Sequence, residues 1–113
     1  MASITRGEIW MTDFGQGRGH EQSGSRPSLV VSHDIFNQGT ADLVVVLPLT
    51  SKGKGVRTHV EVMPPEGGLT MISYVKCEDI RSIATERLGR RLGTVLPATL
   101  AKVEAILRFL LVL

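Results

Sequence analysis

Residues 42–49 (DLVVVLPL) constrain the fold more than any other stretch of the sequence. Valine and leucine fill most of this run, and a short apolar run between polar segments is typical of a buried strand. Pro48 lacks an N–H for the sheet ladder, which predicts a sheet edge or a bulge near the end of this strand. Weaker patterns of the same kind, separated by turns rich in glycine, serine and proline, predict strands at residues 8–14, 27–32, 59–63, 71–75, 82–84 and 92–96.

The last part of the chain has the periodicity of a helix instead. Pro97 suits the first position of a helix, and we expect this helix to run to about Leu111. Leu96 before it is a poor N-cap, so the sequence leaves the exact start open. Apolar residues recur along one helix face at Leu100, Val103, Leu107 and Leu110. The whole pattern predicts a mainly β, α+β fold, in which a small, strongly twisted or barrel-like sheet is closed by a C-terminal helix.

Length and composition narrow the possibilities further. The 113 residues correspond to one domain, residues 1–113, which is large enough to build its own core. The only cysteine, Cys77, excludes an intrachain disulfide framework and fits a reducing cytoplasm. The longest apolar stretch is too short to cross a membrane, and the N-terminus has no apolar signal segment, so we expect a cytoplasmic protein without a membrane partner. The histidines His20, His33 and His59 lack the spacing of a metal site, and we expect neither a metal nor a cofactor.

Positive charge is concentrated in two polar loops, although the net charge is only +2. The first loop and its exit carry Arg18, His20, Arg26 and a single acid, Glu21; the second loop and the strand after it carry Lys52, Lys54, Arg57 and His59 without an acid before Glu61. Arg26 immediately precedes one predicted strand, and Thr50 immediately follows another. These two residues therefore lie at the same end of the sheet if the two strands are antiparallel neighbours.

The residue types in these loops can cleave RNA through its own 2′-hydroxyl group. The Arg26 guanidinium presents donors that match phosphate oxygens, and the Thr50 hydroxyl can hold a phosphate oxygen or a ribose hydroxyl. Glu21 can accept a proton, and the imidazole of His59 is suited to proton transfer. Such a reaction needs charge stabilisation and acid–base groups but no metal. Taken singly, each of these residues is more often a solvated or turn-forming residue, so residue types alone leave an inert polar surface as the alternative.

Seven short motifs make the interpretation more specific. They are RGEIW at residues 6–10, GHEQ at 19–22, RPSLVVS at 26–32, Asn37, VVVLPLTS at 44–51, THVE at 58–61 and DIRSI at 79–83. In order and spacing they resemble the MazF/PemK family of toxin endoribonucleases from toxin–antitoxin modules. The resemblance extends over nearly the whole chain.

The resemblance implies an SH3-like barrel that acts as a homodimer. It implies the toxin of a type II toxin–antitoxin module, an mRNA interferase that cleaves single-stranded RNA at specific sequences without a metal and so inhibits translation and growth. Products would carry 2′,3′-cyclic phosphate and 5′-hydroxyl ends. The implied partners are the RNA substrate and an acidic, partly disordered antitoxin, with which the toxin would also bind DNA.

The family's central catalytic pair falls on Arg26 and Thr50, and its EQ pair falls on Glu21 and Gln22. We assign Arg26 to stabilise the charge of the phosphorane, Thr50 to bond the scissile phosphate or the 2′-hydroxyl, and Glu21 to act as the base or to orient the hydroxyl. His20 replaces a small residue that is common before the EQ pair, which leaves a proton-transfer role for it open. RNA-binding residues are expected at Phe14, Arg18, His20, Gln22, Ser51, Lys52, Lys54, Arg57 and His59, with Phe14 as the aromatic ring placed to stack on a base.

A second apolar face extends beyond the helix stripe near the C-terminus. It comprises Ile106, Phe109, Leu111, Val112 and Leu113, and we expect it to contact a second copy of the chain or a partner. Three other functions remain open: an SH3-like barrel that binds nucleic acid without cutting it, a gyrase-poisoning toxin of the same fold, and a toxin that keeps the fold but has lost activity.

Overall fold

The computed structural model describes residues 3–16 and 24–113 of the chain. Within these residues the strands are β1 Glu8–Asp13, β2 Ser25–Val30, β3 Leu43–Thr50, β4 His59–Val62, β5 Ser73–Lys76, β6 Arg81–Ala84 and β7 Leu88–Thr94. The helices are α1 Asp34–Asn37 and α2 Pro97–Leu111, and short 3-10 turns span Glu66–Gly68, Cys77–Asp79 and Thr85–Arg87. The bounds of α2 confirm the predicted C-terminal helix. No helix in the described part of the chain is both long and apolar enough to span a membrane.

All strand pairs in the sheet are antiparallel, in the order β4-β5-β3-β2-β1-β7, and β6 pairs with β3 outside this path. The strand β3 is the centre of the sheet, because it pairs with β2 along one edge and with both β6 and β5 along the other. The predicted mainly β architecture with one closing helix is confirmed.

Pro48 does not mark a sheet edge, which was one of the two alternatives that the sequence predicted; it lies at an irregularity of the ladder, which was the other. It is fully buried in the central strand β3. On one side β6 pairs with Leu43 to Val46, and β5 pairs with Leu49 and Thr50. Pro48 thus lies where β3 passes from one partner to the next, a gap in the ladder that accommodates a residue without an N–H.

The last strand, β7, begins four residues before the predicted one and ends two residues before it, at Thr94. Its sequence LGRRLGT contains two glycines and two arginines, which weaken the strand pattern. Pairing with β1 holds it in place, with register shifts on either side of Trp10. Arg90 consequently lies within a strand that pairs with β1.

Two apolar clusters form the core. The larger one lies between the sheet and α2, whose Val103 is fully buried and whose Leu100, Leu107 and Leu110 pack against it, as the helical periodicity predicted. Ile106 also packs against this cluster, so it does not belong to the exposed apolar face expected from the sequence. The smaller cluster contains Trp10, Phe14, Val30, Val44, Val46, Ile4 and Ile83.

The RGEIW motif is structural. The Arg6 side chain donates to the carbonyl oxygen of Val31 at 3.0 Å and to Glu104 of α2 at 2.7 Å. The buried Glu8 carboxylate accepts from the indole N–H of Trp10 at 3.0 Å and from Arg91 at 3.2 Å. These contacts tie β1, the end of β2, β7 and α2 together, so the motif stabilises the fold.

Candidate active site

Arg26 and Thr50 meet at one end of the sheet. The strands β2 and β3 are antiparallel neighbours, with Ser28 opposite Pro48 in the ladder. Continuing that register by two residues brings Arg26 opposite Thr50. Both residues line one surface cavity of about 260 Å³. The convergence expected from their positions at the strand ends is therefore confirmed.

The cavity combines three kinds of surface. Arg26 and Arg90 are the charged residues among the described lining, and no described lining residue is acidic. Hydroxyl groups come from Ser25, Thr50, Ser51, Thr70 and Ser73, and apolar surface comes from Met11, Pro27, Leu49, Leu69, Met71 and Leu92. Cationic and hydroxyl groups suit a phosphate and a ribose, while the apolar wall suits the face of a base.

A local turn orients the Thr50 hydroxyl. The backbone N–H of Lys52 donates to Thr50 Oγ1 at 3.2 Å, so the oxygen is held as β3 ends and the loop begins. A hydroxyl that accepts in this way keeps its own proton for donation. Thr50 is half-buried and Arg26 is exposed, so solvent and substrate can reach both side chains.

Buried hydroxyls support the strand that carries Arg26. Thr12 lies opposite Arg26 in the β1–β2 ladder. Its Oγ1 lies 2.6 Å from Ser28 Oγ and donates or accepts within that pair, while both side chains are almost fully buried. This contact fixes β1 against β2 next to Arg26.

The close approach of Gly68 to β7 shapes the cavity wall. Gly68 lines the cavity at φ +74°, and a Cβ atom there would lie 2.0 Å from the carbonyl oxygen of Leu92. Only glycine tolerates both the left-handed backbone and this separation. The 3-10 turn Glu66–Gly68 can therefore pack directly on β7, next to Arg90.

The basic loop, residues 51–58, leaves the cavity at Thr50. Ser51 lines the cavity, whereas Lys52, Lys54 and Arg57 are exposed and lie outside the described lining. Gly53 lets the loop cross the Tyr74 ring, since a Cβ atom there would lie 2.7 Å from the ring. Tyr74 is opposite Thr50 in the β3–β5 ladder, and sequence reasoning did not single it out as an aromatic residue beside the site.

A family model described as the PemK-like, MazF-like toxin of type II toxin–antitoxin systems matches residues 5–111. The chain belongs to the PemK/MazF toxin family. It is 39% identical over 110 residues to the endoribonuclease MazF9 of Mycobacterium tuberculosis, covering 93% of each chain. It is 38% identical over 96 residues to the endoribonuclease PemK of Escherichia coli, covering 83% of this chain and 71% of PemK.

Solved structures of the family confirm the SH3-like fold prediction. A crystal structure of MazF from Deinococcus radiodurans superposes with a TM-score of 0.87 at 29% identity, with full coverage of both chains. An endoribonuclease from a mycobacterial species, solved in complex with its cognate antitoxin, superposes with a TM-score of 0.79 at 32% identity, covering 100% of this chain and 97% of that one.

His59 lies away from the cavity of this PemK/MazF-type toxin. It is opposite Lys76 in the β4–β5 ladder, while Ser73 at the other end of β5 lines the cavity. Its Nε2 atom lies 2.9 Å from Glu78 Oε2, and its side chain is 7% exposed. Within the described residues, its buried Nδ1 atom has no hydrogen-bond partner. The predicted RNA contact of His59 therefore gains no support from its position.

Phe14 is not placed to stack on a base. The ring is 7% exposed, belongs to the smaller core cluster, and carries the Arg81 guanidinium 4.7 Å from its centroid. Because the Phe14 ring is buried in the core and the Arg81 guanidinium covers one of its faces, little ring surface is left for a nucleotide base. The stacking prediction is therefore corrected: among the described aromatic residues, Tyr74 is the one paired with Thr50.

Four predicted site residues lie outside the described residues. They are Arg18, His20, Glu21 and Gln22, and their assigned roles stay predictions. Arg90 is the described site residue that sequence reasoning missed. The sequence signal for it was the pair of adjacent arginines just before residues 92–96, where the last strand was predicted to begin.

Cys77 offers no nucleophile to this site. It is fully buried, and burial, followed by the nearby Glu78 carboxylate, raises the pKa of its thiol to about 12. A thiol in that state stays protonated at neutral pH and is a poor nucleophile.

Proposed function

We propose that this chain is a metal-independent endoribonuclease that cleaves single-stranded RNA at specific sequences, the toxin of a type II toxin–antitoxin module. The observation that carries the proposal is the convergence of Arg26, Arg90 and Thr50 in the lining of one cavity. A guanidinium beside an oriented hydroxyl matches the oxygens of a phosphodiester. Membership of a family whose relatives are named endoribonucleases supports the same conclusion.

In the proposed reaction, the ribose 2′-oxygen attacks the neighbouring phosphorus. A bond forms between O2′ and phosphorus, the bond between phosphorus and O5′ breaks, and the products are a 2′,3′-cyclic phosphate and a 5′-hydroxyl. The base removes the proton of the 2′-hydroxyl, and the leaving O5′ takes up a proton. Glu21 is our candidate for the base or for orienting the 2′-hydroxyl.

Arg26 acts where negative charge develops. Its guanidinium presents a planar fork of donors to the non-bridging oxygens, which carry more charge in the phosphorane than in the ground state. It holds its own proton too tightly to be an effective acid in water, so charge stabilisation is its role. The proton of Thr50 Oγ1 bonds a phosphate oxygen or the 2′-oxygen, since its lone pair already accepts from Lys52.

The basic loop attracts RNA before the cavity binds it. Lys52, Lys54 and Arg57 are exposed and extend the positive surface beyond the cavity. Contacts of this kind add affinity without sequence preference and weaken as salt rises. Sequence choice then falls to groups that meet the bases, including the cavity hydroxyls, Tyr74 and the predicted residues of the first loop.

An antitoxin that covers this positive surface would block RNA. We propose an acidic, partly disordered antitoxin, and the relative solved with its cognate antitoxin supports such a partner. We also propose a homodimer formed through the end of α2, where Phe109, Val112 and Leu113 are 77%, 89% and 82% exposed. Leaving these side chains in water is unfavourable unless another chain covers them. A cytoplasmic location follows as part of the same proposal.

The test is to incubate the pure protein with a long single-stranded RNA in excess EDTA and to map the new ends. Discrete cuts with 5′-hydroxyl ends, absent for Arg26→Ala and present for the exposed helix variant Lys102→Ala, are the expected result. Binding of RNA without any cleavage by the unaltered protein would contradict the enzyme and favour the non-catalytic binding barrel. A parallel assay contains DNA and gyrase in place of RNA. Gyrase-dependent DNA breaks in that assay, together with no RNA cleavage, would favour a gyrase poison.

A further inference from the structure

Arg90 is the charged residue of the cavity that the proposed reaction does not use. It lies in β7, is exposed, and lines the cavity together with Arg26 and Thr50. Among the described residues, no hydrogen bond or ion pair engages its guanidinium. The adjacent Arg91 differs, because its Nη1 donates to the buried Glu8 carboxylate at 3.2 Å. Arg90 lines the cavity and Arg91 is absent from the described lining, so the two neighbouring arginines have different surroundings.

The two cavity arginines enter from opposite walls. The strand β1 separates β2 from β7, and adjacent strands lie about 4.8 Å apart, so the backbones of Arg26 and Arg90 are about 10 Å apart. Arg90 sits in the register shift between the β1–β7 pairs of Trp10 and Thr12. Irregular pairing of this kind re-aims a side chain. Met11 of β1, which also lines the cavity, lies between the two arginines.

The space between the arginines suits one nucleotide. The cavity volume of about 260 Å³ lies near the lower end of the roughly 300–1,000 Å³ of small-molecule sites, so it holds no more than a short part of an RNA chain. Met11, Leu69 and Met71 provide an apolar wall for a base, and Thr70 and Ser73 provide hydroxyls for its edges or its ribose. A nucleotide chain carries one phosphate per residue, so a guanidinium on each wall matches two successive phosphates.

We propose that Arg90 binds the phosphate next to the scissile one and thereby sets which linkage reaches Arg26 and Thr50. This inference rests on the proposed endoribonuclease function. The neighbouring phosphate keeps the same charge throughout the reaction, so its contact with Arg90 is equally strong in the ground state and the transition state. Arg90 therefore lowers KM and leaves kcat unchanged, which distinguishes it from Arg26.

The first test compares Arg90→Ala, Arg90→Lys and Lys102→Ala on a short single-stranded RNA that contains one mapped cleavage site. We expect Arg90→Ala to raise KM about 10-fold or more, with kcat within about twofold of the unaltered enzyme. The slope of log KM against log salt should fall by about 0.7. Arg90→Lys should restore that slope but only part of the affinity, because an ammonium lacks the guanidinium fork. Lys102→Ala should match the unaltered enzyme, and thermal melting should show that all variants fold.

The second test removes the phosphate charge instead of the arginine. Substrates carry a single uncharged methylphosphonate linkage on either the 5′ or the 3′ side of the scissile bond. At one of these positions the modification should raise KM about 10-fold for the unaltered enzyme and leave KM unchanged for Arg90→Ala.

Equal losses in both enzymes at both linkages would overturn the assignment, as would a fall in kcat at constant KM for Arg90→Ala. If the unaltered enzyme cleaves this RNA and Arg90→Ala matches it at every salt concentration, the inference fails while the proposed function stands. If the unaltered enzyme cleaves no RNA, the proposed function fails and this inference fails with it.

Discussion

The cavity and the ion-pair cluster at the far end of β4 and β5 use charge in opposite ways. In the ion-pair cluster, His59 and Thr58 contact Glu78 at 2.9 and 2.7 Å, and Arg81 contacts Asp79 at 2.8 Å. Lys76 adds a longer pair to Asp79 at 3.8 Å. The described lining of the cavity contains the cations Arg26 and Arg90 together with hydroxyl and apolar groups.

The charges of the ion-pair cluster stabilise the fold, whereas Arg90 in the cavity is available to bind a ligand. A cation paired within the protein has its field largely neutralised and attracts an anionic substrate only weakly. Within the described residues no hydrogen bond or ion pair engages Arg90, so this cation adds little to stability and remains available to a phosphate. Arginine is present in both regions, so it is the surroundings of each arginine, not its residue type, that indicate its role.

The largest expected effect is that of Arg26→Ala on catalysis. Removing one preorganised donor to a developing oxyanion costs about 10²–10³-fold in kcat, and we expect a loss of this size in single-turnover cleavage. The melting temperature should stay close to that of the unaltered protein, because Arg26 is exposed on a strand end. A variant that melts much earlier would show that Arg26 belongs with the structural arginines.

Thr50→Val should have the next largest effect. Valine keeps the shape of threonine but removes the hydroxyl that the Lys52 N–H orients. A hydrogen bond to a charged group contributes about 1.5–3 kcal/mol, so cleavage should fall about 10- to 100-fold. Thr50→Ser, which keeps the hydroxyl, should retain most of the activity in the same assay. Equal losses for valine and serine would assign the role of Thr50 to packing.

Arg81→Ala should reverse the pattern of Arg26→Ala. It removes the bond from Arg81 Nη2 to both oxygens of Asp79 and the contact of its guanidinium with the Phe14 ring. We expect the free energy of unfolding, measured by urea denaturation, to fall by about 1 kcal/mol, with cleavage per folded molecule unchanged. Lost cleavage at unchanged stability would break the distinction between the two regions.

The smallest effect concerns Glu78 and acid. Burial of its carboxyl raises the pKa, but hydrogen bonds from Thr58, from its own backbone N–H and from His59 outweigh burial and lower the pKa below its ordinary 4.5. A carboxyl with a lowered pKa in the folded state adds stability above the unfolded-state value, and that stability is lost as pH falls through the folded-state value.

Glu78→Gln should therefore be slightly less stable than the unaltered protein at neutral pH. The gap in free energy of unfolding between the two proteins should shrink as the pH falls below about 4.5, because the unaltered protein then protonates Glu78. Denaturation curves at several pH values measure this gap. A gap that widens in acid would contradict the direction of the pKa shift.

Much of the site was predictable because it follows from sequence order. Arg26 and Thr50 each adjoin a strongly apolar strand, and pairing of consecutive antiparallel strands brings such ends together. Arg90 was not predictable in this way. The glycines and arginines around it give a weak strand signal, and only pairing with β1 decides that this segment is a strand.

The surroundings of individual side chains could not be predicted from the local sequence pattern either. Phe14 stands at the mouth of a polar loop in sequence, yet it packs into the smaller core cluster beneath Arg81. The start of α2 is similar, since Leu96 provides no side-chain cap and its N–H donates instead to Glu66 Oε2 at 2.9 Å, thirty residues away in the chain. Both contacts depend on segments that are close only after folding.

The sequence by itself determined the mainly β fold, the closing helix, the family and the pair Arg26 and Thr50. These follow from periodicity, strand order and motifs, which are local or repeat along the chain. The tertiary structure alone decided that Arg90 joins the cavity, that Phe14 is buried and that His59 pairs with Glu78. Each of these depends on contacts between residues that are distant in the chain. Such residues come close together only once the strands have paired and packed, and that packing decides whether a side chain is buried or exposed to solvent.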